Sequence, residues 1–152
     1  TAQRVYNTDG IQLSQKILFV FETMIDKMGE NNKFKWSFVD LYVRIATIIK
    51  NMINFAELEK YRDMRNPYFK DRSELIKLCK TTLEEAGKQA RQKYEMTSLA
   101  PGEIKKAIDL VSVLRKINVL FGEADEALKN KTLIDALKAR LEEEEKKKEK
   151  KK

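Results

Sequence analysis

The chain has 152 residues, of which 42% are apolar and 36% are charged, with a formal net charge of +7, no histidine and one cysteine. Histidine is the usual acid–base residue near neutral pH, and sites for zinc and other transition metals usually need His or Cys ligands. This composition excludes a Ser-His-Asp or Cys-His catalytic pair and a thiolate zinc site.

The content of glycine and proline is low, with five Gly and two Pro residues in the whole chain. So little turn-forming material argues against an all-β or doubly wound fold. The sequence also contains no Gly-rich phosphate loop. We therefore predict an all-α protein that is not an enzyme, with no catalytic residue, no cofactor and no metal site, and no evident small-molecule substrate.

The first predicted helix covers residues 11–28. Gly29 follows it, at the position where a helix often ends in a left-handed turn. The run from Ile17 to Phe21 is apolar around the whole circumference of the helix. The middle of this helix is therefore expected to be contacted on more than one side.

The second predicted helix covers residues 38–65 and is the most apolar part of the chain. Between Phe38 and Leu58, fourteen of twenty-one residues are apolar, and the polar residues fall on one narrow stripe. Burying those fourteen side chains stabilises by roughly 20–40 kcal/mol in gross terms, which is comparable to the cost of ordering the helix. We expect a continuous rod, the hub of a bundle, surrounded on nearly all sides by protein.

Three more helices are predicted at 72–96, 101–121 and about 133–152. The fourth helix has two apolar seams, one of which runs through Ile104, Val111 and Asn118. The last helix ends in a charged run from Glu142 to Lys152, which suits a helix projecting into water. The predicted fold is a four-helix-type bundle over residues 1–131 with a charged helical extension over 132–152.

The strongest candidate for a binding site is a basic and aromatic segment at residues 60–72. Residues 60–97 carry ten basic and six acidic side chains, whereas residues 1–59 carry seven of each. Aromatic faces stack on bases and cations hold phosphates. The alternative is a helix–loop–helix junction whose charges are solvated. The candidate nucleic-acid contacts are Lys60, Arg62, Arg65, Tyr68, Lys70, Arg72, Lys77, Lys80 and Lys88.

Three other residues are candidates for contact with a protein partner. Trp36 lies before the second helix, where it forms either a staple to the first turn or an exposed anchor. Asn118 lies on an apolar seam, where an asparagine can fix the register of a coiled coil; alternatively it faces water on a polar edge. Phe121 ends the same seam.

Two functional hypotheses follow from these features. The first is a non-catalytic helical interaction protein that self-associates or binds a protein partner, as a structural or scaffolding part of a larger complex. The alternative is a nucleic-acid-binding subunit, for example of a viral or phage packaging or nucleoprotein assembly, that uses the segment 60–72. No stretch of 18 uncharged residues is present, so we expect no membrane span and a cytoplasmic or otherwise intracellular protein.

Overall fold

The computed structural model describes residues 8–29, 33–59, 61–97 and 100–149. These residues form five helices of 17 to 28 residues and one helix of five residues, with no strand among them. The prediction of an all-α fold is confirmed. In chain order the helices are α1 (Thr8–Met28), α2 (Lys35–Asn51), α3 (Phe55–Glu59), α4 (Phe69–Met96), α5 (Pro101–Leu120) and α6 (Ala124–Glu149).

The chain divides into two compact units, Thr1–Thr81 and Thr82–Lys152. The division falls inside α4, so this helix contributes its first half to one unit and its second half to the other. The predicted boundary at residue 131 does not coincide with this division. Instead it falls inside α6, which belongs entirely to the second unit.

The first unit is built around a hairpin of α1 and α2. Phe21 of α1 contacts two aromatic rings of α2, Phe38 at 5.9 Å and Tyr42 at 6.0 Å between ring centroids. Both Phe21 and Tyr42 are buried, as are Ala46 and Ile49 on the same side of α2. The core of this unit therefore lies on one side of the hairpin, where α1 and α2 bury one stripe each.

The predicted hub helix is wrong in two respects. The rod expected from Phe38 to Leu58 is broken, because α2 ends at Asn51 and α3 begins at Phe55. Asparagine favours caps over helix interiors, and the backbone carbonyl of Asn54 accepts the first hydrogen bond of α3, from the N–H of Leu58. The helix is also not surrounded by protein, because one of its stripes is exposed.

The second unit contains the second half of α4 with α5 and α6. Residues of α5 at the heptad positions 104, 107, 111, 114 and 118 are all buried, and α6 packs along this helix. In α4, Gly87 allows a close approach to α5: a Cβ atom at Gly87 would lie 3.2 Å from Cγ2 of Val111. Glycine is the residue that fits where two helices pass this closely.

The last helix begins nine residues earlier than predicted, at Ala124 in place of 133. The turn before it is made by Gly122, whose φ of +75° is the left-handed conformation that glycine adopts without strain. Thr132, expected as a cap, lies inside the helix, where its hydroxyl donates to the carbonyl of Leu128. The charged run is also in contact with α5, because Glu145 pairs with Lys105 at 3.7 Å.

Candidate interaction surface

The most unusual surface of the first unit lies on α1. Leu13, Ile17, Val20 and Met24 follow one another at spacings of four, three and four residues, and their exposed fractions range from 39% to 65%. This spacing is that of the a and d positions of a helix-packing seam. Exposed large apolar residues are common singly, but a continuous stripe of them indicates an interaction surface.

A second stripe with the same spacing lies on α2. It consists of Leu41, Ile45, Ile48 and Met52; Ile45 is half-buried and the other three are exposed. Met52 is the C-cap residue that directly follows α2. Each helix of the hairpin therefore carries two apolar stripes, one facing the core and one facing outward.

Helix geometry, with Phe21 packed on Phe38 and Tyr42, leads us to infer that the two exposed stripes lie on the same side of the hairpin. In both helices each exposed residue directly precedes a residue of the inner stripe, as Val20 precedes Phe21 and Leu41 precedes Tyr42. The outer stripe is therefore rotated by about 100° from the inner one, in the same sense in both helices. The two helices run in opposite directions, and their inner stripes face each other. Turning about each helix axis by the same angle along the chain therefore leads to the same side of the hairpin, so the two outer stripes lie next to each other. We call these eight residues the outer face: Leu13, Ile17, Val20, Met24, Leu41, Ile45, Ile48 and Met52.

Cations border the outer face. Lys16 and Lys27 of α1 and Arg44 of α2 each lie one turn or less from a residue of the face, whereas Glu22 and Asp26 lie on the other side of α1. Phe19, the most exposed phenylalanine of α1, lies beside Val20, and these two residues line two shallow grooves along the helix. The surface is thus apolar in its centre and basic on its rim.

In the segment 60–72, several cations are paired with acids of the same segment or its neighbours. Arg62 contacts Glu59 at 3.2 Å, and Arg65 makes a forked pair with Asp63, with 2.7 Å between Nη2 and Oδ2. Hydrogen bonds from the side chain and backbone of Arg65 hold the pKa of Asp63 below its ordinary value. These arginine side chains are well exposed, so their charges remain at the surface although they are partly neutralised.

Arg72, by contrast, is in the interior of the first unit. It is buried, and its Nε donates a hydrogen bond of 2.8 Å to the backbone carbonyl of Leu58. This bond ties the start of α4 to α3, and only 7% of Arg72 is exposed. Tyr68 is half-exposed and packs edge-to-face on Tyr61 at 5.9 Å, while Lys60 lies outside the described residues.

The remaining lysines of the candidate set follow one another along α4. Lys70 pairs with Glu74 at 3.9 Å, and Lys88 pairs with Glu85 at 3.7 Å. Lys77 is exposed and Lys80 is half-buried. Lys88 belongs to the second unit, whereas the others belong to the first. The eight candidates that the structure describes therefore do not form one compact cluster within a unit.

The three candidates for protein contact are placed differently. Trp36 is half-buried in the first turn of α2, with the ammonium of Lys35 5.3 Å from its ring centroid. Asn118 is 2% exposed, and its Oδ1 has no hydrogen-bond partner. Phe121 is half-buried at the end of α5. The polar edge to water considered for Asn118 is therefore wrong, because the residue lies inside the second unit.

Sequence reasoning did not identify the outer face, although a signal for it was present. The 4-3-4 spacing occurs twice within α1 and α2, but the run from Phe38 to Leu58 contains so many apolar residues that a buried hub explains them equally well. Only the positions of the neighbouring helices determine whether an apolar stripe is buried or exposed.

Two further observations concern metals and membranes. Among the residues that the structure describes, no three His, Cys, Asp or Glu side chains are grouped closely enough to hold a metal ion. Within the same ranges, no helix has the length and apolar content needed to cross a membrane.

The single cysteine, Cys79, is buried, and this burial raises the pKa of its thiol to about 12.

The chain belongs to the TP0443 family, whose model matches residues 1–145. Comparisons with curated proteins and with solved structures give no match.

Proposed function

We propose that this member of the TP0443 family is a non-catalytic helical interaction protein that self-associates as a structural part of a larger assembly. The observation that carries the proposal is the outer face of the α1–α2 hairpin. Its residues have the spacing of a helix-packing seam, and seven of the eight are exposed. An exposed apolar surface of this kind marks a site of contact with another molecule, and its helix-packing spacing favours a protein.

The energetics favour an association of moderate strength. Removing a large apolar side chain completely from water stabilises by about 1.5–3 kcal/mol, and roughly half of that remains to be gained for a half-exposed residue. Seven such residues on each of the two copies supply on the order of 10–20 kcal/mol in gross terms, against an association cost of about 4–15 kcal/mol. We therefore expect an equilibrium between monomer and dimer that depends on protein concentration.

Light scattering after size-exclusion chromatography tests this proposal. The wild-type protein is expected to approach twice its monomer mass of 17.8 kDa as the concentration rises. Val20→Glu places a charge in the outer face and should shift the protein to the monomer at the same concentration. The matched control is Val119→Glu, because Val119 is 60% exposed and Val20 65%; this variant should associate like the wild type. A wild-type monomer throughout the micromolar to near-millimolar range contradicts the proposal.

A second candidate is binding of single-stranded nucleic acid by the segment 60–72. The observation that favours it is the exposure of Arg62, Arg65 and Tyr68 around one turn. A fluorescence titration with a labelled oligonucleotide at two salt concentrations tests it. Phosphate contacts weaken steeply as salt increases, and Arg65→Ala should reduce the affinity. No binding at low salt overturns this candidate.

A further inference from the structure

We infer that the outer face is covered by the outer face of a second copy, and that the two hairpins stack with their turns at opposite ends. In this arrangement α1 faces α1 of the partner in antiparallel orientation, and α2 faces α2. The inference rests on the proposed self-association and names its geometry. The dimer then has two layers, with one hairpin in each layer, and the two outer faces are buried between them.

The composition of the outer face favours a protein occupant over a lipid surface. The face contains only Leu, Ile, Val and Met, whereas contacts with a membrane surface are typically anchored by Trp and Tyr. The 4-3-4 spacing on both helices is the spacing at which the side chains of packed helices interlock. Two stripes side by side also present a face about two helix diameters wide, roughly 20 Å.

The size of the face fits a dimer. A standard interface removes about 800 Å² from each partner, and seven large apolar side chains, each about half-exposed, supply an area on that order. One stripe alone is a narrow seam. A second copy is an occupant with a matching width and a matching period, because it presents the same two stripes.

The distribution of lysines favours turns at opposite ends. Lys27, Lys33 and Lys35 all lie near the turn between α1 and α2. Stacking the hairpins with both turns at one end brings two copies of this cluster together, and like charges across an interface are unfavourable. With the turns at opposite ends, antiparallel seams pair position 27 with position 10, a glycine. The two Lys27 residues then stand about 25 Å apart along the axis.

The α1 stripe and the ring contacts between α1 and α2 together define which residues of the two copies lie opposite each other. Antiparallel pairing of α1 places Ile17 opposite Val20 of the partner, and Leu13 opposite Met24, so the two-fold axis passes between residues 18 and 19. The same axis crosses α2 between Tyr42 and Arg44, since Phe21 of α1 lies level with Phe38 and Tyr42. There the seam pairs Leu41 with Ile45 of the partner. The outer faces thus cover each other along α1 and at Leu41 and Ile45 of α2, while Ile48 and Met52 lie opposite the partner's positions 38 and 34, both phenylalanine.

Disulfide trapping between differently tagged chains tests this geometry. Cys79 is buried, and it is replaced by Ala so that each variant has one thiol. A mixture of Leu13→Cys and Met24→Cys chains should form a mixed disulfide at least tenfold faster than a mixture of Leu13→Cys and Ile48→Cys chains. The second mixture reports the alternative in which both turns lie at one end and α1 faces α2.

The outcomes separate the geometry from the proposed function. Faster trapping of Leu13→Cys with Ile48→Cys overturns the orientation, while a dimer mass in light scattering still supports self-association. A monomer with no trapping in either mixture overturns both. Binding to vesicles of anionic lipid, without a dimer and abolished by Val20→Glu, assigns the face to a membrane surface and overturns the inference. Val119→Glu in the same cysteine backgrounds is the control and should trap like its parent.

Discussion

In the second unit, α5 carries two apolar seams that are buried except for the half-buried Val113 and the C-terminal end, whereas in the first unit α1 and α2 each bury one stripe and expose another. The exposed large apolar residues of the second unit that lie near the α5–α6 turn are Val119, Leu120 and Leu128. In the first unit they run along whole helices. The difference is one of neighbours: α5 lies against both α4 and α6 within its unit.

This contrast shows that one pattern can have two outcomes. The same heptad spacing marks the closed core of the second unit and the outer face of the first. A helix gains little from an apolar stripe that remains in water, so two neighbouring stripes with seven exposed residues between them point to a partner. The second unit has less apolar surface left to offer.

The largest effect is expected from an isoleucine in the closed core. Ile104 is fully buried, so Ile104→Ala should lower the free energy of unfolding by about 2–5 kcal/mol. The matched variant is Ile48→Ala in the first unit, where the side chain is 58% exposed, and a change within about 0.5 kcal/mol is expected. Urea unfolding followed by circular dichroism measures both, in the Val20→Glu background to keep the protein monomeric. Equal losses for the two variants contradict the contrast between the units.

An intermediate effect is expected from two arginines of the first unit. Arg72→Met removes the hydrogen bond to the carbonyl of Leu58 and leaves a buried acceptor without this donor. Loss of a hydrogen bond from a charged group costs about 1.5–3 kcal/mol. Arg65→Met removes an exposed pair with Asp63 and should leave stability almost unchanged. Thermal unfolding of the two variants compares them, and an unchanged Tm for Arg72→Met excludes the structural role of this residue.

The smallest effect concerns Glu95 of the second unit. A hydrogen bond from Arg91, together with the nearby Arg140, lowers the pKa of Glu95 below its ordinary value of 4.5. A carboxyl group with a lowered pKa stabilises the folded state above its unfolded pKa, and the contribution is lost as the pH falls through the folded value. Glu95→Gln should therefore cost about 0.2–1 kcal/mol at neutral pH.

The pH dependence provides the check on this last prediction. The difference in Tm between wild type and Glu95→Gln should shrink as the pH falls below 4.5, because the wild-type carboxyl group then takes up a proton. A difference that stays constant from neutral to acidic pH contradicts the pairing with Arg91 and Arg140. Arg140→Gln should show part of the same pH dependence, since it removes one of the two cations.

The periodicity of the sequence was sufficient to predict the helical class and the approximate positions of α1, α4 and α5. It failed at residues 52–54, where local capping by Asn54 competes with a long apolar run. It also failed at the start of α6, because the turn at Gly122 begins a new helix immediately and the capping pattern at Thr132 is not used.

The candidate site was predictable only in part. The exposed charges of Arg62 and Arg65 agree with a solvated surface, but nothing in the local sequence distinguishes Arg72, which is buried and donates a hydrogen bond to the carbonyl of Leu58 in α3. Asn118 likewise is polar, as surface residues usually are, but it lies in the core.

By itself, the sequence determined which residues share a helical face, because a period of 3.6 residues per turn is a property of the local backbone. It also determined the absence of histidine chemistry. Only the tertiary structure decided which of those faces are closed, since burial depends on the helix that lies opposite. The outer face of α1 and α2 is open in this chain, and the free energy to be gained by covering it is the physical reason to expect a second copy there.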